Sequence, residues 1–271
     1  MVTKLGKILA TVIILLTLGS GGCGWLGSSE KPLFELLRIV PEEVDSFISW
    51  DISALRANIG LIEVYDKWLS QEGEEIERFD IKTSQVNHFA QAEGEAGNVK
   101  ILGGDFDFTS IRETLRDRLG YEVDRIGDDA EKWVNPEGEE AVAIIRMTII
   151  IGKKEIVDSY IEVYRNNKKS FQDDLHIKQV ADRLPEGIML QITRGKHPLL
   201  ASGLVYKVRN EEESEVKAVN MFVGKGFTEV AFPEVSRTWK GQRLYYYPEI
   251  SQEGEFIESR ALIRNINLSY F

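Results

Sequence analysis

The sequence predicts an α+β fold in which mostly antiparallel sheets pack against helices. Segments with strand patterns follow one another across polar turns, as on either side of residues 93–97, whereas segments such as residues 108–119 carry apolar side chains at helical spacing. The two kinds do not alternate regularly, as they would in a parallel β-α-β sheet. Because 43% of the 271 residues are hydrophobic, the chain can bury a core, which excludes collagen-like, disordered and disulfide-stapled proteins.

The first predicted elements are a strand, a helix and a hairpin. Residues 46–52 have the pattern of a strand, and apolar residues at helical spacing predict a helix over residues 54–70. Two further strands, residues 81–92 and 98–102, are joined by a turn that contains two glycines, which predicts a hairpin.

The helix predicted over residues 108–119 is well marked at both ends. Ser110 and Glu113 form a capping-box pattern near its start, and Gly120 is a typical residue at a helix C-terminus. Its apolar face consists of Phe108, Ile111, Leu115 and Leu119.

The strongest core signal lies in the centre of the chain. The β-branched run Ala141–Ile151 predicts one strand buried on both faces, and a helix is predicted over residues 153–166. Gly224-Lys225-Gly226 completes no phosphate-binding motif and is interpreted as a turn. The other predicted elements are a helix over residues 173–183, a strand over 188–193, a hairpin of 204–209 and 216–223, and strands over 243–247 and 255–263.

The N-terminus has the pattern of an export signal. Lys4 and Lys7 precede Ile8–Leu18, an uncharged apolar run that covers only about 16 Å as a helix, against about 30 Å for a hydrocarbon core. A signal peptide therefore fits better than a membrane span.

The residues around Cys23 resemble the lipobox of bacterial lipoprotein precursors. Gly21 and Gly22 are the small residues that precede the cysteine in that family, and Ser20 stands where the family usually has Leu. The resemblance implies that Cys23 carries a diacylglyceryl group and that the preceding peptide is cleaved. It is also the one Cys of the chain, and a free thiol is a liability in an exported protein. The alternative is an uncleaved or conventionally cleaved signal with a free Cys23.

The sequence thus predicts a signal peptide (residues 1–22), a lipidated Cys23 with a tether (residues 23–32) and an exported α+β domain (residues 33–271). Such a protein is anchored to the cell membrane or the outer membrane and faces away from the cytoplasm. Cleavage removes Lys4 and Lys7, so the formal net charge falls from −11 to −13. Acyl chains rather than surface charge would then hold it to an anionic membrane, and nucleic-acid binding is disfavoured.

A weak internal sequence similarity suggests two related halves. Leu36–Asp51 and Val180–Gly195 both have the pattern of a helix end, Pro-Glu and a strand, and Pro41 and Pro185 lie 144 residues apart. The predicted halves are residues 33–170 and 171–271. Because only one pair of segments matches, a duplication and a chance similarity are equally open. Leu102–Asp107 and Ile149–Gly152 also resemble segments of uncharacterised exported bacterial domains, which implies no activity.

Aromatic residues are the candidates for a ligand surface. Trp239, Tyr245, Tyr246 and Tyr247 could line a groove for a sugar or peptide, because Trp and Tyr combine apolar surface with a polar tip. They could equally be core residues. Tyr246 is expected on the sheet face opposite Tyr245 and Tyr247.

Other chemical motifs are weak. Asp105, Asp107, Asp128 and Asp129 could share a Ca²⁺ ion, or one could cap a helix while the others are solvated. The three histidines form no metal-binding pair. No catalytic, cofactor-binding or metal-binding residue is assigned, and no cofactor is expected.

Three functions remain open. The first is a non-enzymatic module that binds a protein, peptide or glycan partner at the membrane. The second is an extracytoplasmic enzyme such as a hydrolase, and the third is a solute-binding receptor with two lobes. An enzyme should have a pocket with convergent polar groups of shifted pKa, whereas a binding module should expose an apolar or aromatic patch.

Overall fold

The computed structural model describes residues 32–127 and 129–270. The predicted signal peptide, Cys23, most of the tether and Asp128 lie outside the described residues. The described chain forms twelve strands: β1 (Ser46–Asp51), β2 (Val86–Gly94), β3 (Gly97–Gly104), β4 (Glu122–Arg125), β5 (Ala130–Val134), β6 (Glu140–Ile145), β7 (Thr148–Lys153), β8 (Met189–Arg194), β9 (Leu199–Val208), β10 (Glu213–Phe222), β11 (Tyr245–Glu253) and β12 (Phe256–Arg264).

These strands make one antiparallel sheet in the order β11-β12-β10-β9-β8-β1-β2-β3-β7-β6-β5-β4. The predicted α+β class with antiparallel pairing is therefore confirmed, but a single large sheet replaces the several sheets that were expected. Pairing is antiparallel because most neighbours are connected by short turns. The described helices are α1 (Pro32–Glu35), α2 (Ile52–Ala57), α3 (Ile62–Glu77), α4 (Phe108–Glu113), α5 (Lys154–Tyr164), α6 (Leu175–Arg183) and α7 (Lys225–Gly241).

The sheet is covered by helices on both faces. On the α5 face, α1, α5 and α6 contribute to one core, and on the α7 face, α2, α3, α4 and α7 contribute to a second core. Strands in the first half supply both cores from alternate residues: Ala141 and Ala143 belong to the α5 face, whereas Val142 and Ile144 belong to the α7 face. This is why the central sequence is almost continuously apolar.

The two halves meet where β1 pairs with β8. The first half contributes β1–β7 and the second half β8–β12. Counted outward from the β1–β8 pair, both halves begin with their first, second, third, last and penultimate strands in that order, and the first half then adds β5 and β4 at its edge. All strands from residues 33–170 therefore lie on one side of the β1–β8 boundary, and all strands from residues 171–271 lie on the other. Duplication of an ancestral unit remains a prediction.

The central prediction of one strand over residues 141–151 is wrong. The chain reverses at Arg146-Met147, so that β6 and β7 form a hairpin with Ile145 opposite Thr148. Arg146 has a φ of +54°, as the first central residue of a tight hairpin turn requires. Both strands are buried, so hydrophobicity alone did not reveal the two-residue turn Arg146-Met147 between them.

Four other elements differ from the sequence analysis. The helix predicted over residues 54–70 is two helices, α2 and α3, separated by a 3₁₀ turn at Ile59–Leu61. Strands β4 and β5 were not predicted. Helix α7 was not predicted either, because Gly226 and Pro233 lie within it and its apolar periodicity is weak.

Candidate binding groove beneath helix α7

A groove of about 290 Å³ lies between α7 and the sheet. Its floor is a polar row that crosses adjacent strands, in which Thr193 of β8 is opposite Ser202 of β9, and Ser202 is opposite Asn220 of β10. Residues paired in this way share one face of the sheet and are about 5 Å apart. Gln191 lies two residues from Thr193 on the same strand and adds an amide to the floor.

Helix α7 and the start of β11 form the opposite wall. Thr238, Trp239, Gln242 and Tyr245 contribute to it. The rings of Trp239 and Tyr245 are stacked, with centroids 4.8 Å apart and planes inclined by 30°. This geometry is typical of a favourable aromatic pair. The pair therefore anchors the C-terminal end of α7 to the sheet at one end of the groove.

Tyr206 supports the aromatic pair from the core. It is buried on β9, and burial raises the pKa of its phenol, with the neighbouring Tyr245 hydroxyl adding to the shift. The Tyr206 phenol is therefore neutral at physiological pH. Since Tyr245 contacts both Trp239 and Tyr206, its ring has a defined position.

The groove offers hydrogen bonds but almost no charge. Its lining in the described chain contains amides from Gln191, Asn220 and Gln242 and hydroxyls from threonine, serine and tyrosine, and it contains no carboxylate, histidine or basic side chain. Amides and hydroxyls can both donate and accept. This arrangement suits a neutral polar ligand, whereas general acid-base chemistry would require groups that titrate near neutral pH.

The structure brings together two of the four aromatic residues singled out in the sequence. Trp239 and Tyr245 lie at the groove. Tyr246 lies on the α5 face, where the Arg264 guanidinium is 5.9 Å from its ring centroid. Tyr247 is 83% exposed and has a φ of +53° at an irregularity in the pairing of β11 with β12.

Sequence reasoning missed the polar floor. Thr193, Ser202 and Asn220 are far apart in the chain, and each looks like an ordinary polar residue of a half-exposed strand. One signal was present in the sequence. Side chains alternate between the two faces of a strand, so Gln191 and Thr193, in the predicted strand over residues 188–193, place an amide and a hydroxyl on the same face. The alignment of Thr193, Ser202 and Asn220 depends on strand register, which the sequence does not specify.

The described acidic residues among those considered for calcium do not form a shared site. Asp107 caps α4 by accepting hydrogen bonds from the backbone amides of Thr109 and Ser110, and Asp129 forms an ion pair with Arg146 at 2.9 Å. In the part of the chain that the structure describes, no three His, Cys, Asp or Glu residues are grouped as a metal site would need. Asp128 lies outside it.

Other cavities of the described chain are lined by charged side chains. An open cavity of about 850 Å³ lies beside α4 and is lined by residues that include Arg112, Arg116 and Arg146. Each of these arginines has a carboxylate partner, and the partners are Glu131, Asp117 and Asp129 in that order. The guanidinium charges there are therefore largely compensated within the chain.

Comparisons with known proteins identify the fold but no activity. No protein-family model matches the chain. The uncharacterised protein MJ0635 of Methanocaldococcus jannaschii is 22% identical over 230 residues, which are 81% of this chain and 80% of that protein. In the described residues, no helix combines the length and the apolar character that crossing a membrane would require.

Crystal structures of TP0453 have a similar fold. Crystal form III superposes with a TM-score of 0.53 at 11% sequence identity, covering 86% of this chain and 96% of that one. Crystal form I gives a TM-score of 0.52 and covers 90% and 97% of the two chains. At this identity the likeness concerns the fold alone.

Proposed function

We propose that this protein is a lipid-anchored, extracytoplasmic binding module whose α7 groove holds a neutral, hydroxyl-rich ligand such as a saccharide. One observation carries the proposal: amide and hydroxyl side chains from three strands line a space walled by a stacked Trp-Tyr pair. Saccharide hydroxyls both donate and accept hydrogen bonds, as do these side chains.

The size of the groove limits the ligand. About 290 Å³ is at the lower end of the range for small-molecule sites, so the groove would hold a mono- or disaccharide, or the end of a longer glycan. Because the groove opens beside Thr238 and Gln242, which are exposed, a longer chain could continue into solvent. A binding role is favoured over hydrolysis because the lining lacks a pair of carboxylates.

A titration of the full chain in detergent tests the binding role. Glucose, N-acetylglucosamine and cellobiose would be added separately, with heat of binding as the measurement. Asn220→Ala removes an amide from the floor and is expected to weaken binding about tenfold, the effect of losing one or two hydrogen bonds. Asn87→Ala is the matched control, since Asn87 is also a half-buried strand asparagine but lies outside the groove.

Two results would contradict the groove as the site. One is that none of the three saccharides binds, and the other is that Asn220→Ala and Asn87→Ala bind equally well. A circular dichroism spectrum of each variant shows whether the fold is retained.

The anchor is supported by the sequence of residues 1–23. Several acyl chains, at about 0.8 kcal/mol per buried CH₂, would hold the domain firmly to a bilayer. Cys23→Ser is expected to abolish incorporation of labelled fatty acid and to leave the precursor uncleaved or release the domain. Unchanged labelling of that variant would refute the anchor without affecting the groove.

A further inference from the structure

A second pocket, of about 430 Å³, lies on the α5 face of the sheet, opposite the α7 groove. It is lined by five basic side chains and one carboxylate, and we refer to it as the basic pocket. The basic residues are Arg183 at the end of α6, Lys207 on β9, Arg209 after it, Lys217 on β10 and Arg260 on β12; the carboxylate is that of Glu215.

The register of the strands brings like charges together. Lys217 is directly opposite Arg260 in the β10–β12 pair, and both line the basic pocket. Like charges directly opposite each other on neighbouring strands are destabilising. The cost is larger for Lys217, whose side chain is only 9% exposed.

Part of this charge is compensated inside the protein. Lys217 Nζ donates to the backbone carbonyl of Arg183 at 2.6 Å and pairs with Glu258 at 3.0 Å. Arg183 pairs with Glu253 and Glu258, and its guanidinium lies 4.0 Å above the Phe256 ring. These contacts hold the inner end of the pocket in a fixed geometry.

The outer cations of the pocket are not neutralised by direct salt bridges. Among the described residues, Lys207, Arg209 and Arg260 form no ion pair with a carboxylate, and all three are exposed. Glu215 faces Lys207 across the β9–β10 pair and Glu249 faces Arg260 across the β11–β12 pair, but neither carboxylate reaches salt-bridge distance. Three free cations thus converge on one cavity in a protein whose formal net charge is −11.

We propose that the basic pocket binds the phosphate group of a phosphate ester. A phosphate carries up to two negative charges and several acceptor oxygens, so that it can accept hydrogen bonds from several converging cations at once. Arg260 supplies the planar fork that pairs with two phosphate oxygens, and Lys207 supplies a mobile point charge. The site lies on the other face of the sheet from the α7 groove and does not depend on that groove's ligand.

The phosphate could belong to a phospholipid headgroup or to a soluble ester, and calorimetry with the full chain in detergent distinguishes them. The probes are inorganic phosphate, glycerol 3-phosphate and a short-chain phosphatidylglycerol below its micelle concentration. The double variant Lys207→Gln/Arg260→Gln is expected to lose about a hundredfold or more in affinity, because two charge-assisted hydrogen bonds are removed. Both residues are exposed and unpaired, so this variant is expected to fold.

The matched control is Arg237→Gln/Lys240→Gln, which removes two exposed cations from α7 on the opposite face. It changes the net charge equally and is expected to bind like the unaltered protein. Binding of glycerol 3-phosphate that is lost only in the Lys207/Arg260 variant supports a soluble ester, and the same pattern for the phosphatidylglycerol alone supports a lipid headgroup. Absence of binding to all three probes, or equal loss in both double variants, would overturn the basic pocket as a phosphate site.

Discussion

Helices α4 and α7 occupy the same place in the two halves of the sheet but pack differently. Each follows the third strand of its half, β3 or β10, and lies on the α7 face. Helix α4 and its π-helical extension bury Ile111 and Leu115 completely. Helix α7 buries only Thr228 and Trp239 and leaves Val230 79% exposed. One topological position therefore completes the core in the first half and borders a groove in the second.

The sheet beneath each helix explains this difference. The core that contains Ile111 and Leu115 includes the strand residues Leu102 and Ile149, which are fully buried and apolar. Beneath α7, Thr193 and Asn220 face the helix instead. Close packing of α7 on these side chains would bury polar groups without enough hydrogen-bond partners, which costs free energy. The helix is consequently held at its Trp239 end, which leaves an open space between it and the sheet.

The largest effect is expected in the first half. Leu115→Ala leaves a cavity beneath α4 and should lower the free energy of unfolding by about 2–5 kcal/mol. The measurement is the midpoint of urea unfolding followed by circular dichroism. A loss below about 1 kcal/mol would mean that the α4 core is no tighter than the contacts of α7.

Substitutions in the groove floor should affect ligand binding more than stability, unlike Leu115→Ala. Thr193→Val combined with Asn220→Leu makes the row apolar, and we expect the free energy of unfolding to change by less than about 1 kcal/mol or to rise, because the hydrogen bond that is lost, between the hydroxyls of Thr193 and Ser46, is long at 3.5 Å. Saccharide binding should fall by about tenfold or more in the same variant. A destabilisation similar to that of Leu115→Ala would show that the polar floor is a structural element.

A pH effect on stability just below neutral pH is expected in the first half. Burial lowers the pKa of His88 on β2, although Asp51 opposes the shift. Because the unfolded chain then binds a proton more readily than the folded one, stability is full above about pH 6.5 and falls as the pH drops from there towards the lower pKa of the folded state.

His88→Gln should remove this part of the acid sensitivity. The test compares the free energy of unfolding of both proteins at about pH 8 and about pH 5.5. An equal loss in the two proteins would assign the sensitivity to other groups. The α7 groove contains no group that titrates in this range, so its saccharide affinity should not change over the same interval.

The smallest effect is expected on the outer surface of α7. Val230→Ser should change the free energy of unfolding by less than about 0.5 kcal/mol, since this side chain is mostly exposed. The same urea measurement applies, with Leu115→Ala as the reference. A loss above about 1 kcal/mol would indicate that Val230 is covered in solution, for example by a partner.

Much of the fold could be predicted from local patterns. The α+β class, the hairpin after Ile81 and the helix at Phe108–Leu119 follow from side-chain periodicity and turn residues, which act over a few positions. The break between β6 and β7 could not be predicted in this way, because Arg146 and Met147 interrupt an apolar run without a Gly or Pro to mark the turn. Of the residues that line the candidate groove, the sequence analysis singled out Trp239 and Tyr245 but neither the polar floor nor α7, and whether they form a ligand surface stays a prediction.

The sequence alone determined the chemistry available to this protein: an acidic chain, an apolar N-terminal run ending at one cysteine, and strands and helices with their buried faces. Tertiary structure decided which of those residues meet. Strand register aligned Thr193, Ser202 and Asn220 into one row and placed Lys217 opposite Arg260. The physical reason is that a shift of one residue in register moves a side chain to the other face of the sheet, and register depends on contacts between segments far apart in the chain.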